Sequence, residues 1–233
     1  MTFSLIARCP KTEMLGIAIA TSAFAVASRC PHVRGGVAAI ASQNYSNWKI
    51  GMIGLDLAEN GLSPDEVIRT LAGYDPHFDY RQFGIVTRDG RVAAHSGSHG
   101  HTYNAHLIGD GCAALGNGVV GPEVLEAMLD GFAKNSSETF EEQLMRGIEA
   151  GAAAGGEAIG HLSAALIAAE PNELRPRCDL RVDLASATPQ EGGDAVHDLR
   201  RVFDRYKPLI GFYGDFWHNN PEVTPDEFIR RHS

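Results

Sequence analysis

Apolar and polar positions along the chain fall into short runs separated by turn residues. Residues 3–8 and 14–21 are apolar stretches divided by Cys9-Pro10-Lys11-Thr12-Glu13, a proline-containing break of hairpin length, so the spacing predicts an N-terminal β-hairpin. Residues 36–42 are apolar and small, which suits a strand packed closely between layers. Ser63-Pro64-Asp65-Glu66 combines an N-cap serine, proline at the first helical position and a glutamate that can close a capping box. Val67, Ile68 and Leu71 follow at helical spacing, and a helix is predicted to start there. Residues 83–87 and 91–95 flank Asp89-Gly90, the signal of a second hairpin.

Further on, Gly121-Pro122 opens an amphipathic segment with Val124, Leu125, Met128, Leu129 and Phe132 on one side. Ser137-Glu138 opens another with Phe140, Leu144 and Ile148. Residues 163–168 and 179–184 read as strands, and 194–206 as a helix ending before Pro208. Hairpins grouped with helices point to an α+β protein with antiparallel sheets covered by helices, not to a parallel array. The expected organisation is one domain over residues 1–210 and a tail over 211–233. The tail, with Phe212, Tyr213, Phe216 and Trp217, is too apolar to lie free and should cover the domain or a neighbouring subunit, so a homo-oligomer is expected.

Composition narrows the partners. At 233 residues, with 44% hydrophobic and 21% charged positions, the chain has ample material for a core. A net charge of −9 with scattered basic residues leaves no stripe to neutralise phosphates, so no nucleic-acid partner is expected. No apolar run approaches the roughly 20 residues of a membrane span and no leader pattern opens the chain, which predicts a cytoplasmic protein without a membrane partner. Cys9, Cys30, Cys112 and Cys178 are far apart and read as reduced, mostly buried thiols.

Thr2 is the position with the most chemistry in it. A small residue after Met1 allows the methionine to be trimmed, leaving a threonine whose own α-amine can serve as base to its hydroxyl. The alternative is an ordinary β-branched strand residue.

The start Thr2-Phe3-Ser4-Leu5-Ile6-Ala7-Arg8, the segments Leu15-Gly-Ile-Ala-Ile-Ala20 and Gly36-Val-Ala-Ala-Ile-Ala-Ser-Gln43, and later Arg91-Val-Ala-Ala-His-Ser-Gly97, Gly116-Asn117, Ala154-Gly-Gly156 and Asp179-Leu-Arg-Val-Asp183 resemble the bacterial family of unknown function numbered 1028, grouped with the N-terminal-nucleophile (Ntn) hydrolases. The similarity runs over about residues 2–205. It implies a four-layer αββα sandwich of two antiparallel sheets, in agreement with the element order, and Thr2 as nucleophile of any activity. Ser22 departs from relatives that carry a lysine or another polar group there.

An Ntn-type site also needs donors for an oxyanion and polar groups that fix amine and substrate. Asn117, between Gly116 and Gly118, is either part of a turn or an amide donor to an oxyanion, and the resemblance favours the donor. Gln43 closes the third strand where an Ntn sheet would meet its cleft, which makes it a candidate substrate contact beside a plain strand-ending role. Asp179, Arg181 and Asp183 share one face of a strand and read either as an ion network or as a substrate-binding set in which Arg181 holds a carboxylate. His106 falls on the resemblance as a further substrate contact. With His95, His99 and His101 it could instead form a hydrolytic zinc site, although no helical metal motif accompanies the cluster.

The sequence thus leads to hydrolysis of a small amide or acyl-amino compound through Thr2, with a small-molecule amide as substrate and no cofactor or metal. Two alternatives stay open: a non-catalytic Ntn-fold binding protein that retains Met1, and a metallohydrolase built on the histidines.

Overall fold

The break at residues 9–14 is a tight turn in which Glu13 takes a φ of 59° and Cys9 N–H donates to Met14 O. It joins β1 (Thr2–Arg8) to β2 (Leu15–Thr21) in antiparallel register, Phe3 opposite Ala20. The computed structural model describes residues 1–100 and 102–232. Further strands are β3 (Pro31–Arg34), β4 (Ala38–Asn44), β5 (Arg81–Thr87), β6 (Val92–Ser96), β7 (Asn104–Gly109), β8 (Cys112–Asn117), β9 (Ser163–Ala169) and β10 (Cys178–Val182). They form a six-stranded sheet in the order β10-β9-β2-β1-β8-β7 and a four-stranded sheet in the order β3-β4-β5-β6, all pairings antiparallel.

Strand alternation sorts the core into three layers of contact. On β1, Phe3, Leu5 and Ala7 point to the side covered by α3 (Pro122–Lys134), α4 (Phe140–Ala153) and α5 (Ala195–Tyr206), where they meet Leu125, Met128, Leu144 and Phe203. Ile6 points the other way, with Ile17, Ile19 and Leu115, onto Ala39, Ala41 and Val86 of the second sheet. The outer face of that sheet, Ile40, Phe83 and Ile85, is covered by Ile50, Leu55, Val67 and Leu71 of α1 (Trp48–Glu59) and α2 (Pro64–Tyr74). The two sheets therefore lie face to face with helices on both outer sides. Each fully buried leucine, isoleucine or phenylalanine contributes about 1.5–3 kcal/mol.

Several elements match their sequence signals. The capping box at Ser63 and Glu66 is formed, Asp194 caps α5, and Pro122 opens α3. Others differ. The second amphipathic helix begins at Phe140, because Thr139 rather than Ser137 supplies the cap to Glu142 N. Helix α1 has weak local propensity because of Gly51 and Gly54; at Gly51 an added Cβ would lie 2.2 Å from the His32 ring, so close packing on β3 requires the glycine. The β7–β8 hairpin is equally hidden in the sequence, its strands being short and mixed in polarity.

The tail folds back helically through α6 (Trp217–Asn219) and α7 (Pro225–His232), and buries Phe212 against Val223 and Phe228 in a small cluster of its own. No helix of the described residues is long and apolar enough to cross a membrane.

Candidate functional site

One end of the space between the sheets is closed by polar side chains instead of hydrocarbon. Ser4, Gln43, Gln82 and Asn117 all point inward near the ends of β1, β4, β5 and β8, and all four are fully buried. Gln82 is their hub. Its Oε1 accepts from Gln43 Nε2 at 2.7 Å and Asn117 Nδ2 at 3.0 Å, while its Nε2 donates to Ser96 Oγ at 2.9 Å and to the carbonyls of Ala105 and Gly116. Ser4 Oγ donates to Gln43 Oε1 at 2.7 Å. Buried amides are tolerated only when their bonds are made, and here nearly all are; the exception is Asn117 Oδ1.

Thr2 stands on this floor. It pairs with Asn117 across the β1–β8 ladder, and its carbonyl accepts from Gln43 Nε2 at 3.4 Å. Thr2 Oγ1 lies 3.2 Å from Thr21 Oγ1, and both hydroxyls donate to the Met1 carbonyl oxygen. The Met1 side chain rests on Gly118, where φ is +68° and an added Cβ would come 2.1 Å from Met1 Cγ, so both the backbone and the space demand glycine.

Beside this group, Ser22 N donates to Glu157 Oε2 at 2.8 Å. Glu157 is 2% exposed and its Oε1 has no partner. Burial pushes its carboxyl above the usual range, against the hydrogen bonding from Ser22 and the attraction of the N-terminal ammonium and His161. Its own N–H donates to His161 Nε2 at 3.3 Å, and His161 Nδ1 meets Asp194 Oδ2 at 3.0 Å. Burial alone would raise the Asp194 carboxyl, but the hydrogen bonds and charge of His161 hold it below its ordinary value. A shallow depression of about 610 Å³ runs along Gly155, Glu157, His161, Pro189 and Asp194.

Of the residues singled out in the sequence, the fold gathers Thr2, Asn117 and Gln43. Gln43 is spent internally: its Nε2 donates to the Thr2 carbonyl and to Gln82, its Oε1 accepts from Ser4, and it faces no solvent. Asn117 gives its amide nitrogen to Gln82 and keeps an unmatched carbonyl oxygen, which differs from a free oxyanion donor. His106 is half-buried and joins the network through Ser96 Oγ, 3.0 Å from Nδ1; burial, then the charge of His95, lowers its pKa. Asp179, Arg181 and Asp183 stay apart. Arg181 clasps Asp179 at 2.8 and 2.9 Å on the outer strand β10, whose inward face lies open because the four-stranded sheet is narrower than its partner. Asp183 follows β10, three strands from Thr2, about 14 Å by strand spacing.

The histidines are dispersed as well. His95 stacks on Phe78 at 4.5 Å and His99 on Tyr80 at 4.5 Å, while His101 lies outside the described residues. Among the described residues no three His, Cys, Asp or Glu side chains come together as a metal-binding group.

Thr21, Gln82, Glu157 and His161 escape the sequence reading. Gln82 and Gln43 each break an apolar alternation with an amide at a strand end, and Glu157 is a lone carboxylate in Gly155-Gly156-Glu157-Ala158-Ile159, which are the signals that could have found them.

The geometry defines a two-sheet α+β protein with a threonine-headed polar site at one end of its sheets. The chain belongs to the family of unknown function DUF1028, whose model matches residues 2–192. Among solved structures it is similar to protein SPO2555 from Silicibacter pomeroyi, of the same family model, at 26% identity and a TM-score of 0.78, covering 92% of this chain and 91% of that one. Anbu (ancestral beta-subunit) from Yersinia bercovieri aligns at 9% identity and a TM-score of 0.40 over 91% of this chain and 97% of that one. No curated protein matches.

Proposed function

We propose that the protein is an Ntn-type amidohydrolase with an Ntn-hydrolase-like αββα fold, acting on a small amide or acyl-amino compound once the peptide bond before Thr2 has been cleaved. The observation that carries this reading is the Thr2 hydroxyl, held at a sheet end between Thr21 Oγ1 and the Asn117 strand, where both hydroxyls already bind a carbonyl oxygen. With the α-amine free, Thr2 Oγ1 attacks the substrate carbonyl carbon and the amine takes the hydroxyl proton. Thr21 Oγ1–H and the second Asn117 amide hydrogen are the donors nearest the developing oxyanion. Collapse breaks the C–N bond, the ammonium protonates the departing nitrogen, and an ester remains on Oγ1. Water, deprotonated by the same amine, then releases the acid.

Gln43 and Gln82 serve as the rigid support of Thr2, and His106 is a substrate contact reached through Ser96. The test is the intact mass of the protein together with a panel of amides, ureides and acyl-amino acids. A chain beginning at Thr2 should turn over a panel member and Thr2→Ala should not. Equal turnover by a mass-verified chain that retains Met1 would overturn the reading.

A further inference from the structure

We propose that Glu157 is the positioning residue for the α-amine of Thr2, its carboxylate receiving the ammonium that forms when the preceding bond is cleaved. This rests on the hydrolase reading for its consequence in turnover, but its structural content is independent of it. The β1–β2 register sets Thr2 beside Thr21, so the residue before Thr2 runs beside Ser22. Glu157 Oε2 is fixed to Ser22 N at 2.8 Å, which anchors the carboxylate at the end of that ladder. Cleavage before Thr2 moves the terminal nitrogen by one strand residue, about 3.3 Å, and keeps it beside the same carboxylate.

The free oxygen is the second observation. Glu157 is almost wholly buried, yet Oε1 accepts nothing, and a buried carboxylate oxygen left without a donor is costly. An ammonium offers three donors and a charge, which matches both deficits. The loop that carries Glu157 is pinned from behind. The Glu157 N–H donates to His161 Nε2, which leaves the His161 Nδ1 proton for Asp194, the cap of α5. The side chain is thereby presented from a fixed backbone. Other titratable groups around the amine are His161, tied through Nδ1 to Asp194, and the Cys30 thiol, pushed up to about 11 by burial and so neutral. Glu157 is the carboxylate left to set the amine's ionisation.

The experiment uses full-length protein released from a fusion directly before Thr2 and verified by mass. The Thr2 amine is titrated by competitive acetylation with acetic anhydride at graded pH, read by mass spectrometry. Glu157→Gln should lower the amine pKa by about one pH unit or more, the effect of removing a close opposite charge, and should move the acidic limb of any turnover the same way. Glu157→Asp, which draws the charge back by one methylene, should give a smaller decrease and covers the case in which the glutamine variant does not fold. An amine pKa unchanged in a folded variant overturns the proposal while leaving the hydrolase reading intact. In a Thr2→Ala chain released at the same bond, the terminal amine should show the same dependence on Glu157; hydrolysis surviving in that chain would sink the hydrolase reading and leave the amine contact standing.

Discussion

Glu142 gives the sharpest test of the energetics. This carboxylate on α4 is 4% exposed and receives Arg200 Nη2 at 2.9 Å, Lys207 Nζ at 3.0 Å and Arg146 Nε at 2.8 Å, so it ties α4 to α5. Burial alone would raise its pKa, but the hydrogen bonds and charges of Arg200 and Lys207 prevail and hold it at about 2 against an ordinary 4.5. A depressed carboxylate contributes stability that is complete above its unfolded value and is lost as pH falls through the folded one, here between about 4.5 and 2. The undiminished shift corresponds to about 3 kcal/mol; because Arg146 and Lys207 are partly exposed, solvent screening leaves about 1–2 kcal/mol, or roughly 2–8 °C in Tm for a domain of this size. Glu142→Gln should therefore unfold earlier than the parent at pH 7, and the gap should close as both are titrated to pH 2. Thermal melts followed by circular dichroism at intervals from pH 7 to 2 measure it. A gap that stays constant over that range would show that Glu142 acts by packing and not through its charge.

Replacing Gln82 by Leu keeps the volume but strips partners from Gln43 and Asn117, so a loss of roughly 2–6 kcal/mol is expected from two orphaned buried donors; a urea midpoint within error of the parent would refute the hub role. In the hydrolase reading, Thr2→Ser in a chain beginning at that residue should retain part of the turnover, and the rate should fall as pH drops through the amine's ionisation, about 7–8 for an ordinary α-amine; a flat pH–rate profile would remove the amine as base. The apolar tail should contribute to a homo-oligomer, and a monomer by sedimentation would instead confine the tail to its own cluster around Phe212.

How far the sequence carries depends on where the information sits. Local chemistry makes the β1–β2 hairpin, the Ser63 capping box and the Pro122 helix start legible, because each is decided within a few residues. Helix α1 is not, since Gly51 makes sense only against His32 of another strand. At the site, Thr2, Asn117 and Gln43 stand out by type and position. What joins them does not: Gln82 is distant in sequence from each, and its role arises when two sheets close on one another. The alternation of Asp179, Arg181 and Asp183 places them on one face, but the width of the opposing sheet, which decides whether that face is covered, is written nowhere near those residues.

The central place of β1 also bears on the timing of synthesis. One neighbour of Thr2, β2, is made within the next twenty residues, whereas the other, β8, ends at Asn117. A ribosome adding about 5–20 residues per second leaves β1 as the open edge of a lone hairpin for roughly 5–20 seconds before its second partner exists. During that interval the backbone around Thr2 has a free side, and afterwards Asn117 pairs with Thr2 and Gly118 lies against the Met1 side chain. In the hydrolase reading, processing before Thr2 is then a race between a peptidase and the arrival of β8, and slowing translation ahead of residue 117 would raise the fraction of chains that begin with a free threonine.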